Sequence, residues 1–306
     1  MRFFLCGLLA LSVGVAHANT DVTAAVENVR TACGGIGDEL SYMKKLAGIT
    51  TAVTGVGTVA GGVAVGTGIA KSVVDQKVHI LLDALVEEQE LQGETFEEIF
   101  EEEIVQALLE GKKDVVESKI TELTEKSETL GDVRTGTLAA STATNIAGAV
   151  MSGVNRIKGD LKQQIDGCLT SVKMLSDVFM QAKISKAASE EELVRANNIV
   201  RACGAWDLVD TELINKRSAG ATVSSGIGAA AGLAGTVTSA SANSQAVREA
   251  TGDEAETKEK NLNTAANVLA GASTAAGLSA TIFNATQIAA IKRAATVADE
   301  CEGALK

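Results

Sequence analysis

The feature that most constrains the fold is the complete absence of proline from a chain of 306 residues. Proline makes up about 5% of an average protein and is concentrated in turns and loops. A chain of this length without proline is expected to have few loops. Long helices favour the absence of proline, because a proline in a helix interior kinks or breaks the helix. We therefore predict an all-α fold built from long helices.

Four long uncharged runs rich in Gly, Ala, Ser and Thr form the framework of these helices. They cover residues 46–70, 137–155, 218–247 and 262–291. Within them small residues recur at a spacing of four, which places them in rows along one helix face and allows two backbones to approach closely. We predict that the following glycines line glycine-zipper-like helix contacts: Gly57, Gly61, Gly62, Gly66, Gly228 and Gly232. The packing partner would be another small-residue arm of the same chain.

The chain shows a repeated pattern around its cysteines. "NVRTACGGIGDEL" at 28–40 matches "NIVRACGAWDLVDTEL" at 198–213, and each match is followed by one small-residue run, a turn, a second run and another cysteine. We interpret the pattern as two tandem antiparallel helical hairpins in an elongated bundle, with unit boundaries at 19–188 and 189–306. A chance match between low-complexity Ala/Gly runs is the alternative.

Four cysteines follow the N-terminal segment, namely Cys33, Cys168, Cys203 and Cys301. An even number in an exported chain favours disulfides. Repeat symmetry favours Cys33–Cys168 with Cys203–Cys301, because each pair would then close one hairpin at its base. The competing arrangement is Cys168–Cys203 with Cys33–Cys301, since the connector between the hairpins also turns near its middle.

The first 18 residues have the pattern of a secretory signal peptide. Arg2 precedes an apolar stretch that ends in the small-residue motif Ala16-His17-Ala18. We therefore expect export from a bacterial cell, to the periplasm, the cell surface or the medium.

An acidic segment at about 83–128 lengthens the first hairpin relative to the second. Gly93 and Gly111 interrupt it, and we interpret it as a helical insertion at the hairpin tip. Its apolar stripe of Phe96, Ile99 and Phe100 lies among glutamates, which would suit docking of a partner with a basic surface. The alternative is that the stripe packs against the next helix, through Val115, Val116, Ile120 and Leu123.

Motifs that would indicate an enzyme are weak. "GVGTVA", with Gly55, Gly57 and Ala60, fits a dinucleotide-binding fingerprint, and Asp75 follows at a suitable distance. That fingerprint requires a preceding strand and a βαβ unit, neither of which the sequence predicts, and "GTGIAKS" misses the P-loop spacing. After the N-terminal segment one histidine remains, His79. We predict no catalytic site, no cofactor and no metal.

The charge balance limits the partners. The chain carries 27 basic and 39 acidic residues, for a net charge of −12, which argues against nucleic acid because binding requires clustered Lys and Arg. The sequence favours an exported, non-enzymatic structural or interaction protein that binds an unknown protein partner or itself. The alternative is a membrane-active protein whose glycine-rich hairpins insert into a bilayer and oligomerise there.

Overall fold

The computed structural model describes residues 21–87, 99–244 and 253–306, and every regular element in these ranges is a helix. The all-α prediction is confirmed. The predicted signal peptide at 1–18, Gly93 and Phe96 lie outside the described residues. The helices are α1 (Val22–Cys33), α2 (Ile36–Glu87), α3 (Glu102–Leu109), α4 (Lys113–Val154), α5 (Gly159–Ser185), α6 (Glu190–Gly204), α7 (Thr211–Ala242) and α8 (Asp253–Leu305), with a short 3-10 turn at Ala205–Leu208.

Local sequence signals explain where several helices begin and end. The Asp21 side chain accepts a hydrogen bond from the Ala24 amide at the start of α1, and Gly35, with a φ of 82°, separates α1 from α2. Gly111, with a φ of 70°, separates α3 from α4. A capping box begins α6, because the Ser189 and Glu192 side chains each accept a hydrogen bond from the other's backbone amide.

The chain divides into two compact units. Among the described residues, unit 1 comprises residues 21–44, 157–214 and 289–306, and unit 2 comprises residues 45–87, 99–156, 215–244 and 253–288. Unit 2 contains the arms of both sequence hairpins, and unit 1 contains the cysteine-bearing segments of both. The boundary between residues 188 and 189, which rests on the sequence repeat, stays a prediction.

Unit 1 has an apolar core of the usual kind. Helices α1, α5 and α6 pack against one another and bury large aliphatic side chains together with the tryptophan Trp206. The buried set includes Val22, Val26, Val29, Ile36, Leu40, Leu161, Ile165, Val172, Leu175 and Ile199. At about 1.5–3 kcal/mol for each fully buried large apolar side chain, this core supplies the main stabilisation of unit 1.

Unit 2 contains the small-residue helices and, beyond them, the acidic segment. In that segment α3 and the first turns of α4 enclose an apolar cluster with residues from α2. Its buried members are Val74, Leu81, Phe100, Ile104, Val105, Ala107, Val116 and Leu123. The rest of unit 2 buries mainly small and polar side chains.

Candidate functional site

The interior of the uncharged part of unit 2 is polar. Hydroxyl and carboxamide side chains, together with Ala and Gly, occupy positions where a water-soluble bundle would bury Leu, Ile or Phe. The polar residues at most 5% exposed are Thr50, Thr54, Ser141, Thr142, Asn145, Ser152, Asn155, Ser218, Ser225, Ser239, Asn263, Ser273, Asn284 and Gln287. The alanines equally buried among them are Ala47, Ala64, Ala221, Ala242, Ala266, Ala270 and Ala280. Within residues 46–70, 135–155, 218–242 and 261–288, Leu138 is the one buried apolar side chain larger than alanine.

The exterior of the same helices is apolar. Branched aliphatic and aromatic side chains point away from the bundle on all four helices. The exposed set is Ile49, Val56, Val59, Val63 and Ile69 on α2; Ile146, Val150 and Val154 on α4; Val223, Ile227, Leu233 and Val237 on α7; and Val268, Leu278, Ile282 and Phe283 on α8. Val59 and Val237 are 69% and 65% exposed. The uncharged part of unit 2 therefore has a polar interior and an apolar exterior, whereas the interior of unit 1 is apolar.

Hydrogen bonds between polar side chains and neighbouring backbones connect the helices of unit 2. The Ser218 hydroxyl donates to the Ser152 carbonyl at 2.5 Å, and the Ser273 hydroxyl donates to the Gly228 carbonyl at 2.9 Å. The Gln287 amide donates to the Asn155 carbonyl at 2.6 Å. These bonds link α7 and α8 to each other and to the C-terminal end of α4.

Four of the six glycines predicted to line helix contacts do lie at close approaches. A Cβ atom at Gly57 would collide with the Thr144 hydroxyl, and one at Gly61 would lie 2.6 Å from the Thr274 hydroxyl oxygen. A Cβ at Gly228 would lie 2.8 Å from the Asn145 amide nitrogen, and one at Gly232 would collide with the Thr142 hydroxyl. The contacts join the two sequence hairpins as well as the arms of one hairpin.

Gly62 and Gly66 lie away from these close approaches. Both lie on the exposed side of α2, with no atom within 4 Å of an added Cβ. The physical reason is helical rotation, since at about 100° per residue the row of Gly62 and Gly66 turns away from the row of Gly57 and Gly61. The sequence pattern missed Gly68 and Gly148, where an added Cβ would meet Asn267 and Thr54.

A charged cluster lies in unit 2 next to the polar interior. The Lys71 ammonium, 3% exposed, donates to Asp75 Oδ2 at 2.7 Å and lies 3.4 Å from Glu259 Oε1. Arg134, which is fully buried, donates to the side-chain and backbone oxygens of Asn263 at 3.2 and 3.1 Å. The positive charges of Lys71 and Arg134 are compensated by the negative charges of Asp75 and Glu259, and all four of these side chains are largely buried.

A cavity of about 480 Å³ adjoins this cluster and is lined by Asp75, His79, Asp83 and Glu259, among others. His79 was noted in the sequence as the histidine that follows the N-terminal segment. Its ring and the surrounding carboxylates do not come close enough to form a metal-binding group among the described residues.

The described residues of the stripe proposed for docking, Ile99 and Phe100, pack against other residues of the same chain. Phe100 is 7% exposed in the apolar cluster and Ile99 packs against it, as do Val115 and Ile120. Lys77 fixes the segment, because its ammonium donates to the Ile99 carbonyl at 2.9 Å and lies 5.7 Å from the centre of the Phe100 ring. Ile99 and Phe100 therefore match the alternative in which the apolar stripe packs against the next helix.

The glycines of the dinucleotide-like motif lie in the middle of a helix. Gly55, Gly57 and Ala60 belong to α2, which is continuous from Ile36 to Glu87. A phosphate-binding glycine loop has to follow a strand and open a helix. This motif therefore cannot bind a dinucleotide in that way.

The structure brings the four cysteines together in unit 1 as the pairs Cys33–Cys168 and Cys203–Cys301, with Cα atoms 4.7 and 4.5 Å apart. This is the pairing favoured by repeat symmetry. All four side chains are buried, and the sulfur atoms of Cys33, Cys168 and Cys301 lie within 4.8 Å of one another. The sequence did not predict that the two pairs would adjoin.

Comparisons with protein-family models, with curated proteins and with solved structures found no significant match to this chain.

Proposed function

We propose that the protein is a non-enzymatic membrane protein in which the uncharged part of unit 2 is embedded in a lipid bilayer after export. The observation that carries the proposal is the polarity of unit 2, with a Ser/Thr/Asn interior and a Val/Ile/Leu exterior. In water, such a bundle would expose its most apolar side chains and bury groups that gain little from burial. In a bilayer, the exterior side chains contact acyl chains, while small residues let the helices pack closely and several of the polar groups bond between helices.

The dimensions of the helices support the same proposal. Residues 135–155 carry no charge and lie between Arg134 and Arg156, and at 1.5 Å per residue they rise about 31 Å, close to the roughly 30 Å hydrocarbon thickness. The uncharged residues 46–70 lie between Lys45 and Lys71, and the uncharged residues 261–291 lie between Lys260 and Lys292. Lys45, Arg156, Lys260 and Lys292 are exposed and can extend to the lipid head groups, whereas Lys71 and Arg134 are buried and bond within unit 2.

Two helical stretches are long and apolar enough to cross a membrane, at Val22–Leu85 and Thr257–Leu305. Their most apolar windows are only 28% and 33% buried. A core helix of a water-soluble protein would bury most of such a window, so the low burial favours lipid contact. The other expectation, a water-soluble structural or interaction protein, calls for a polar exterior on these helices and accounts less well for this surface.

Substitution of an exterior valine tests the proposal. An Asp at the centre of a membrane helix costs about 2.5–3.5 kcal/mol of insertion free energy, whereas an Asp on a water-exposed surface costs little. We expect the full-length protein to associate with phosphatidylcholine vesicles and to resist alkaline carbonate extraction, and Val59→Asp to be extracted. Ile184→Asp, at a position in unit 1 that is 80% exposed, is the control and should behave like the parent protein. Carbonate extraction of the parent protein, or full resistance of Val59→Asp, would rule out the proposal.

We also propose that both cysteine pairs are oxidised in the exported protein. Peptide mapping without reductant should recover the Cys33–Cys168 and Cys203–Cys301 linkages. Recovery of Cys168–Cys203 with Cys33–Cys301 would establish the competing connectivity, and free thiols at all four positions would remove the disulfide hypothesis.

A further inference from the structure

The four buried cysteines form one cluster in unit 1, and each comes from a different helix. Cys33 ends α1, Cys168 lies within α5, Cys203 lies near the end of α6 and Cys301 lies near the end of α8. The Cys33, Cys168 and Cys301 sulfur atoms are within 4.8 Å of one another, and the Cys203 sulfur is bonded to that of Cys301. Two disulfides that each only closed one hairpin would not need to lie next to each other.

We propose that, when the disulfides are reduced, this cluster binds one thiophilic divalent metal ion such as Zn²⁺. Four thiolates around Zn²⁺ at about 2.3 Å place neighbouring sulfur atoms about 3.8 Å apart. The three clustered sulfurs already lie within a comparable distance, and Cys203 supplies the fourth when its bond to Cys301 opens. Thiolate sulfur is the ligand type that selects zinc over magnesium or calcium.

The helices of unit 1 are suited to such a site. Metal sites in helical bundles are built from side chains that project inward from facing helices. Here the cysteines are at most 3% exposed and lie among Val29, Ile165 and Ile199, which are also buried. Among the described residues, this is the one group of three or more His, Cys, Asp or Glu side chains close enough to share an ion.

The two states of the cluster exclude each other, and the chemistry balances. A phosphine reductant and water convert each disulfide into two thiols, with the phosphine oxidised to its oxide. The metal ion then replaces the thiol protons, so binding to four thiols releases four protons and weakens as the pH falls. A newly made chain whose cysteines are still reduced is the form that would carry the ion.

Cobalt(II) is the probe for the first experiment, because thiolate ligation gives it a visible spectrum. Full-length protein reduced with a phosphine under anaerobic conditions is titrated with Co²⁺ and then with Zn²⁺. We expect one Co²⁺ per chain with thiolate charge-transfer absorption, displacement by Zn²⁺, and no binding by the oxidised protein. Absence of this absorption from the reduced protein, or its presence in the oxidised protein, would overturn the proposal.

Two matched variants locate the site. Cys301→Ser and Cys203→Ser each remove one of the four ligands and should each weaken Co²⁺ binding and reduce the thiolate absorption. An unchanged affinity and spectrum in both variants would contradict the assignment. Because a variant can fail to fold, the reduced parent protein is also alkylated at its thiols after its helicity has been confirmed by circular dichroism. Alkylation should abolish Co²⁺ binding, and binding that survives alkylation would place the ion elsewhere.

Discussion

The adjacent residues Gly61 and Gly62 have opposite environments. A side chain at Gly61 would meet the Thr274 and Ser141 hydroxyls, at 2.6 and 3.3 Å from its Cβ, whereas a side chain at Gly62 would enter open space. Overpacking of a tight contact costs about 1–3 kcal/mol, and replacement of an exposed helical glycine relieves a helix penalty of about 1 kcal/mol. We expect Gly61→Leu to lower the thermal stability in detergent and Gly62→Leu to leave it unchanged or raise it. Equal shifts for the two variants would show that this face of α2 is not in contact.

The capping box of α6 makes a prediction about pH. Hydrogen bonds from the Ser189 amide and hydroxyl hold the pKa of the Glu192 carboxyl below its ordinary value. A carboxyl whose pKa is lowered on folding stabilises the protein above its unfolded-state pKa, and that contribution disappears as the pH falls through the folded-state pKa. We therefore expect the parent protein to lose more thermal stability than Glu192→Gln between neutral and acidic pH. Parallel melting curves for the two proteins across this range would contradict the assignment.

At the level of helices, the sequence predicts the stripes but not which stripe faces inward. On α2 the row containing Thr54, Gly57 and Gly61 and the row containing Val56, Val59 and Val63 have the same helical period. Periodicity therefore locates both faces and leaves their assignment to the surrounding solvent. The cysteine pairing is easier to anticipate, because repeat symmetry and chain direction limit which residues can meet. The choice between Gly61 and Gly62 depends on the neighbouring helices, which no local pattern contains.

The apolar side chains of the acidic segment are buried against other residues of the same chain. Phe100 is 7% exposed in the cluster with Leu81 and Val116. Truncation of a buried phenylalanine to alanine costs about 3–5 kcal/mol, so Phe100→Ala should lower the free energy of unfolding by an amount of this order. Phe283→Ala, at a position 38% exposed, should cost clearly less. Unchanged stability of Phe100→Ala together with loss of a captured partner would instead support docking.

Taken as a whole, the chain contains two kinds of interior. Unit 1 buries Leu, Ile and Trp around four cysteines, while the uncharged part of unit 2 buries Ser, Thr and Asn and exposes Val and Ile. The first interior is stabilised by removal of apolar surface from water. The second depends on close backbone approach and on hydrogen bonds between helices. The two units should therefore respond differently to the same perturbation.

Reduction of the disulfides distinguishes the two interiors. Both cysteine pairs lie in unit 1, and the Cys203–Cys301 pair closes a sequence separation of 98 residues. In the chain-entropy model, a crosslink that closes about 100 residues stabilises the folded state by about 4.7 kcal/mol. Hydrogen exchange of the protein in lipid vesicles should therefore lose protection in α5 and α6 after reduction by a dithiol, while residues 46–70 keep theirs. Equal loss in both regions would mean that the stability of unit 2 depends on the disulfides, and no loss in either would mean that the bonds add nothing to unit 1.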